Sequence, residues 1–158
     1  MDKSVYTIVR DTREKVPWVF PKSDECQGTI VKKLDTADYS LESHLETFVL
    51  ERKRSVAEFY QNIFEKRFEA ELLRLDDFLY PFMIFEFTWE DILKFPIGSG
   101  LPSYLWHKVD TKKEFLRKSI ARYQLKYKTK IIFAGKYGMD MATDLFHYVA
   151  KYGKKTKS

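Results

Sequence analysis

The segment Pro81 to Phe87 constrains the fold of this chain most strongly, because six of its seven residues are apolar. A strand with one face in water alternates apolar and polar side chains, whereas a continuous apolar strand is typical of a sheet covered on both faces. The segment therefore predicts a buried strand with helices on both sides of its sheet. Glu86 interrupts the run and needs either a partner such as Arg67 or Arg74 or a place at the rim of a site, and we favour the pairing.

The residues before this segment predict strands and one long helix. Short stretches rich in β-branched and aromatic residues predict three strands in a meander, Val5 to Asp11, Thr29 to Leu34 and Phe48 to Glu51, with another extended stretch at Tyr39 to Leu41. Apolar side chains then recur at helical spacing from Val56 to Leu75, which predicts a single helix. Within that helix the spacing of Arg67, Glu71 and Arg74 is typical of a ladder of charges on the surface.

The residues after it alternate between helical and strand patterns. A second apolar stripe at helical spacing runs from Phe115 to Tyr127, a short strand follows at Ile131 to Ala134, and a last stripe covers Ala142 to Val149. Phe95 to Trp106 has no clear period and is predicted to be an ordered loop. This order predicts an α/β fold: a central mixed sheet flanked by helices on both faces.

Length and charge bound the domain organisation and the partners. The 158 residues fit one domain over residues 1–150, followed by a lysine-rich tail over residues 151–158. The net charge is +5, but the tail holds four lysines and no acid, so residues 1–150 carry only +1. The total charge is therefore weak support for a nucleic-acid partner. No apolar run has the length of a membrane span, so no membrane partner is expected.

Acidic residues fall at the ends of the predicted strands. Asp11 ends the first strand, Asp38 precedes the extended stretch, and Glu51 ends the third strand. Lys53 follows Glu51 by two residues and therefore lies on the same side of that strand. If the strands pair as neighbours, two carboxylates and an amine meet at one point.

Two carboxylates beside a lysine suit the chemistry of phosphodiester hydrolysis. Mg²⁺ takes oxygen ligands, commonly one or two carboxylates with water and a substrate phosphate. A bound divalent ion lowers the pKa of its water and offsets the charge that develops on the phosphate. From spacing alone, the alternative that these are solvated charges at strand ends stays open.

The single cysteine, Cys26, excludes an intramolecular disulfide and a cysteine-rich zinc site.

Three blocks together resemble the XPF-type structure-specific nucleases, a branch of the PD-(D/E)xK superfamily. They are Asp11-Thr12-Arg13-Glu14, Asp38-Tyr39 and Glu51-Arg52-Lys53, and the helices and strands that follow appear in the family's order. The resemblance implies a restriction-endonuclease-like fold, with residues 1–150 as the nuclease domain. It also implies a metal-dependent endodeoxyribonuclease that cuts DNA during repair or recombination, with Mg²⁺ or Mn²⁺ as cofactor.

The resemblance also implies a role for each residue of the blocks. Asp38 and Glu51 would ligate the metal, with Asp11 completing or supporting the site, and Lys53 would serve the attacking water. All four are therefore predicted to be catalytic.

The two arginines of the blocks, Arg13 and Arg52, would contact phosphates, because a planar guanidinium suits that role. Glu14 would orient one of them.

The chain departs from the family pattern at two positions. Ala37 stands where the family has a glycine, which matters only if the residue needs a positive φ. Ala57 stands where the family has an acid. Glu58 is one residue further along and forms a capping-box pattern with Ser55, so we interpret Glu58 as a helix cap.

The family's helix-hairpin-helix module has no counterpart in this sequence, which is similar to stand-alone members from bacteriophages or bacteria. The expected partner is therefore a second copy of this chain, in a homodimer, or a separate DNA-binding protein. The expected location is the cytoplasm of a bacterial or phage-infected cell, or the nucleus of a eukaryote. The alternatives are a non-catalytic DNA-binding or assembly module, an enzyme that acts on RNA, and an exonuclease.

Overall fold

A computed structural model describes residues 4–157 and contains a six-stranded mixed sheet. The strands are β1 (Tyr6–Arg10), β2 (Cys26–Val31), β3 (Tyr39–Leu41), β4 (Phe48–Lys53), β5 (Tyr80–Phe85) and β6 (Lys130–Phe133). Their order across the sheet is β2-β1-β3-β4-β5-β6. Strands β3 and β4 pair antiparallel, while β4, β5 and β6 pair parallel. The predicted mixed sheet is confirmed, and β5 occupies an interior position as its apolar sequence indicates.

The predicted meander of the first strands is wrong. Strand β2 pairs with β1 in parallel at the outer edge of the sheet, and β3 occupies the place on the other side of β1. Parallel neighbours need a crossover of a dozen or more residues, and the 15 residues 11–25 between β1 and β2 provide it. The consequence is that β3 lies directly between β1 and β4, which brings the ends of these three strands together.

Helices cover both faces of the sheet, as predicted. They are α1 (Val56–Phe64), α2 (Arg67–Leu75), α3 (Trp89–Leu93), α4 (Trp106–Val109), α5 (Lys113–Lys126) and α6 (Gly138–Tyr152). Side chains of α1, α2 and α5 pack on one face of the sheet, around Phe68 and Phe85. On the other face α6 packs against Trp18 and Tyr39 with Phe146 at the centre. None of the helices in residues 4–157 is both long and apolar enough to cross a bilayer.

The single helix predicted from Val56 to Leu75 is two helices. Lys66 adopts a left-handed conformation with φ of 59°, which ends the first helix before Arg67 begins the second. Both helices bury apolar side chains on the same face of the sheet, and the rings of Phe59 and Phe68 meet edge to face at 5.0 Å. No glycine or proline marks this break in the sequence, so the helical period gives no sign of it.

Strand β4 positions the candidate site because both of its faces are buried. Alternate side chains point to opposite faces of a strand. Glu51 and Lys53 therefore lie on the side of α1 and α2, with Val49 of that core, whereas Arg52 lies on the side of Trp18.

A candidate active site at the ends of β3 and β4

Asp38 and Glu51 lie side by side across the β3–β4 pair. The N–H of Asp38 donates to the carbonyl of Leu50 at 3.1 Å, and the N–H of Arg52 donates to Oδ2 of Asp38 at 2.8 Å. These two bonds bracket Glu51 and hold the Asp38 carboxylate beside it. Both carboxylates line a cavity of about 270 Å³, together with residues of the β1 end and of α2.

Lys53 joins this pair from the same face of β4. Its Nζ lies 3.5 Å from Oε1 of Glu51, and it donates to both carboxylate oxygens of Glu71, at 2.9 and 3.1 Å. Lys53 is buried, so its ammonium is held between two carboxylates with little access to water. The structure therefore brings Asp38, Glu51 and Lys53 together, with Glu71 as a fourth member.

Glu71 is the residue that sequence reasoning missed. The predicted surface ladder is wrong, because Glu71 binds Lys53 and Arg67 pairs with Glu65. One signal could have found it: Glu71 comes three residues after the buried Phe68 and four before the buried Leu75, which places it at the flank of the apolar stripe rather than on the open surface.

Burial and crowding disturb the protonation of the two adjacent carboxyls. Burial raises the pKa of Asp38 to about 7, against the opposing effect of the bond from the Arg52 N–H and with the aid of the charge on Glu14. Burial also raises the pKa of Glu51 well above its usual range, and the charges of Asp38 and Glu71 raise it further. A site of this kind favours a bound proton or a bound cation.

The pKa of Lys53 is also raised, but by neighbouring charges rather than by burial. Burial alone would lower the pKa of Lys53, but the charges of Glu51 and Glu71 outweigh burial and raise it. In this arrangement Lys53 is an ammonium whose positive charge lies behind the cavity wall and whose hydrogen bonds go to Glu51 and Glu71.

Asp11 lies at the edge of the same cavity and organises the loop after β1. Its Oδ1 accepts from the N–H of Leu34 at 2.8 Å, and its Oδ2 accepts from the N–H and Nε of Arg13 at 3.2 and 2.7 Å. Burial would raise the pKa of Asp11, but these bonds hold it below its usual value. The Arg13 side chain is 63% exposed and lines the cavity beside Glu51. Asp11 and the carbonyl of Leu34, which accepts from Nη2 of Arg13 at 2.6 Å, thus hold Arg13 at the wall of the cavity.

The guanidinium of Arg52 lies on the opposite face of β4 from this cavity. It stacks over Trp18 at 4.3 Å, forms an ion pair with Glu86, and has Glu14 within 3.9 Å. The partner of Glu86 is therefore Arg52, and the prediction of Arg67 or Arg74 is wrong, because both of those arginines lie on α2 on the other side of the sheet. Arg52 also lines a second cavity, of about 170 Å³, together with Asp38 and Glu51, and its contact with phosphate stays a prediction.

The residue at the first departure from the family pattern has a positive φ. Ala37, directly before Asp38, has φ of 73°, in the left-handed region that favours glycine. This conformation turns the chain into β3 so that Asp38 meets Glu51.

The second departure places no acid in the cavity. The N–H of Ala57 donates to the carbonyl of Ser99, and Ser55 Oγ accepts from the N–H of Glu58 at 3.1 Å. The Glu58 carboxylate accepts from the N–H of Arg54 at 2.8 Å, so the interpretation of Glu58 as a cap is supported, with Arg54 in place of Ser55 as its donor.

The carboxylates of Asp38 and Glu51 suit a hard divalent ion that keeps part of its hydration shell. Within residues 4–157 no group of three or more histidine, cysteine, aspartate or glutamate side chains is arranged to enclose a metal. Asp38 and Glu51 form a pair, and two carboxylates completed by water and a substrate phosphate are a common site for Mg²⁺. Burial is the main cause of the raised pKa values of this pair and the charges of neighbouring acids add to it, and a bound ion would stabilise the charged form of both carboxylates. Ligation by Asp11 stays a prediction.

Comparisons with known proteins identify the fold. Models of known protein families and curated proteins gave no match. Among solved structures, the chain is similar to XPF from Aeropyrum pernix, with a TM-score of 0.62 and 17% identity over 96% of this chain and 65% of that one. A second structure, XPF from Aeropyrum pernix in complex with DNA, has a TM-score of 0.63 and 19% identity over 96% of this chain and 68% of that one. The chain thus has the XPF nuclease fold and spans about two thirds of those chains, and the fold that the sequence resemblance implies is confirmed.

Proposed function

We propose that the protein is a divalent-metal-dependent endonuclease that hydrolyses phosphodiester bonds in DNA. One observation carries the proposal: Asp38 and Glu51, from separate segments of the chain, line one cavity, and Lys53 contacts Glu51, on a fold shared with XPF. Buried carboxylates with raised pKa values beside a lysine are costly for the fold, and such clusters concentrate at functional sites.

Each residue of the cluster has a role in this proposal. Asp38 and Glu51 hold Mg²⁺ or Mn²⁺, and Asp11 supports the site by fixing the loop that carries Arg13. When bound, the ion supplies Lewis acidity and an activated water. Lys53 stabilises negative charge beside that water.

Arg13 and Glu71 act around these ligands. Arg13, exposed at the cavity mouth, binds a phosphate of the substrate through the guanidinium donors that remain after Nε donates to Asp11 and Nη2 donates to the carbonyl of Leu34. Glu71 fixes the position of the Lys53 ammonium.

DNA is the proposed substrate because one of the similar XPF structures is a complex with DNA. Branched or flap DNA is proposed from the family resemblance, together with a homodimer or a separate DNA-binding protein as partner. The protein would then act in the cytoplasm of a bacterial or phage-infected cell, or in the nucleus of a eukaryote.

A non-catalytic DNA-binding or assembly module is the second candidate. Ala57 favours it, because an acid that the family carries is missing and Lys53 is engaged by two carboxylates. The two candidates differ in metal binding. Calorimetry with Mn²⁺ should give binding heat with the wild type and none with Asp38→Asn if the site is catalytic, whereas a module without chemistry gives none with either.

Cleavage tests the proposal directly. Flap, fork, duplex and single-stranded DNA should be incubated with the purified protein and Mg²⁺, with EDTA as the blank. We expect nicking of at least one substrate, loss of nicking with EDTA or Glu51→Gln, and normal nicking by Glu90→Gln, which removes an exposed acid of α3. Equal cleavage by wild type and Glu51→Gln would reject the proposed function.

A further inference from the structure

Positive charge is strongly segregated on this chain. Residues 108–130 contain nine lysines and arginines and two acids, a balance of +7. The rest of residues 1–150 contains fifteen cations and twenty-one acids, a balance of −6. The small net charge of residues 1–150 is therefore the sum of an acidic part and a basic region, which runs from the end of α4 through α5 to the start of β6.

The exposed side of α5 presents part of this charge as a row. Lys118, Arg122 and Lys126 follow one another at intervals of four residues, so they share one face of the helix at a rise of about 6 Å each. Their side chains are 69%, 57% and 57% exposed. We call these three side chains the basic row.

Two exposed or half-exposed acids pair with the three side chains of the basic row. Within residues 4–157, the ion pairs described for the row involve Glu114 with Lys118, and Glu69 with Arg122 and Lys126 at 4.0 and 3.4 Å. Exposed pairs of this kind contribute little and exchange readily for other partners. The row is therefore available to a larger anion.

The basic row is close to the candidate active site but separate from it. Glu69 and Glu71 are two residues apart on α2, so they point to roughly opposite flanks of the helix. Glu69 contacts the row, and Glu71 contacts Lys53. The α2 helix, about 10–12 Å across with its side chains, thus lies between the row and the cavity, a distance well within one turn of a duplex of about 34 Å.

We infer that the basic row is a binding surface for the phosphate backbone of a nucleic acid, outside the active site. Lysine and arginine on an exposed helix neutralise phosphates and release counterions, which gives affinity without reading sequence. The cavity beside α2 is lined by five acids and two arginines and would accept a phosphodiester with a divalent ion bound, so the choice of a nucleic acid over a membrane as the anion rests on the proposed function. This surface holds the strand on which the proposed active site works, but its binding does not depend on cleavage.

The test measures binding in EDTA, where no cleavage occurs. Fluorescence anisotropy with a labelled duplex of about 20 base pairs compares the wild type with the row variant Lys118→Gln, Arg122→Gln, Lys126→Gln. The matched control is Lys151→Gln, Lys154→Gln, Lys155→Gln, which removes the same charge from the C-terminal segment. A third protein, Lys118→Arg, Arg122→Lys, Lys126→Arg, keeps the charge of the row and reports on folding.

We expect the row variant to bind about 10-fold or more weakly at about 50 mM salt, and the slope of log affinity against log salt to fall by about 2 to 3. The control and the charge-conserving variant should bind within about 3-fold of the wild type. Equal loss in the row variant and the control would overturn the inference. So would binding of the wild type to vesicles of anionic lipid but not to the duplex. Failure of metal-dependent cleavage alone would reject the proposed nuclease activity but would not contradict nucleic-acid binding by the basic row.

Discussion

The Nζ of Lys53 lies 2.9 Å from Oε2 of Glu71, so the amine of the candidate active site is bound to α2 as well as to its own strand. The second carboxylate beside this ammonium is that of Glu51, whose Oε1 lies 3.5 Å from Nζ of Lys53. The position of the ammonium in the cavity therefore depends on two separate elements of the fold.

Loss of the Glu71 carboxylate should slow cleavage. In Glu71→Gln the ammonium keeps Glu51 as its anionic partner but loses the bond that fixes its direction, so we expect the rate to fall about 10- to 100-fold, as for other residues that orient a catalytic group. Single-turnover cleavage measures it. Glu69→Gln, on the other flank of α2, should keep nearly the full rate on a short substrate, and equal losses in both variants would contradict the role of Glu71.

A glycine at position 37 should stabilise the protein. Ala37 has φ of 73°, which costs an L-residue about 1 to 2 kcal/mol, and glycine removes this cost while adding about 0.5 to 1 kcal/mol of chain entropy to the unfolded state. We expect Ala37→Gly to raise the free energy of unfolding by about 0.5 to 1 kcal/mol, as measured by urea denaturation. Ala70→Gly in the interior of α2 should lower it by about 1 kcal/mol. A lower stability of Ala37→Gly would show that the strain is absent.

The metal-free protein should lose stability as the pH rises. The pKa of the Asp38 carboxyl is about 7 in the folded chain and near 3.9 when unfolded. Between about pH 4 and pH 7 the folded state keeps a proton that the unfolded state has released, so the free energy of unfolding falls with pH, by at most about 1.4 kcal/mol per unit. This contribution is full below pH 4 and is gone above pH 7.

Thermal denaturation in EDTA at a series of pH values checks this. Asp38→Asn should have a flatter profile than the wild type over that window, and saturating Mn²⁺ should raise the wild-type melting temperature most near neutral pH. Parallel profiles for the wild type and Asp38→Asn would contradict the prediction.

The two arginines of the sequence blocks should respond differently to substitution. Arg52→Met leaves Glu86 without its cation beneath Trp18, and breaking such a pair costs about 3 to 5 kcal/mol when it is buried. Arg13→Met removes an exposed guanidinium, so we expect a stability loss of about 1 kcal/mol or less and a higher KM for DNA. Urea denaturation and steady-state cleavage measure the two effects, and similar stability losses in both variants would show that the positions are equivalent.

The meeting of the candidate site residues could be predicted because it depends mainly on local rules. The two-residue period of a strand places Glu51 and Lys53 on one face, and the end of a neighbouring strand places Asp38 beside them. The coverage of both faces likewise follows from the apolar sequence of β5.

Features that depend on distant packing were not predicted. The parallel edge position of β2 is set by a 15-residue crossover, which carries no local signal of its direction. The break at Lys66 has no glycine or proline, so the helical period continues through it. The pairing of Glu86 with Arg52 instead of Arg67 or Arg74 depends on which face of β4 each charge occupies, and that requires the register of the sheet.

The left-handed residue Lys66 separates α1 from α2, the helix that carries Glu71. The N-terminal end of α1 is tied to β4 through the Glu58 cap, whereas Glu71 is carried by the segment beyond Lys66. The left-handed conformation of Lys66 sets the direction in which α2 leaves α1, and with it the direction from which Glu71 approaches Lys53.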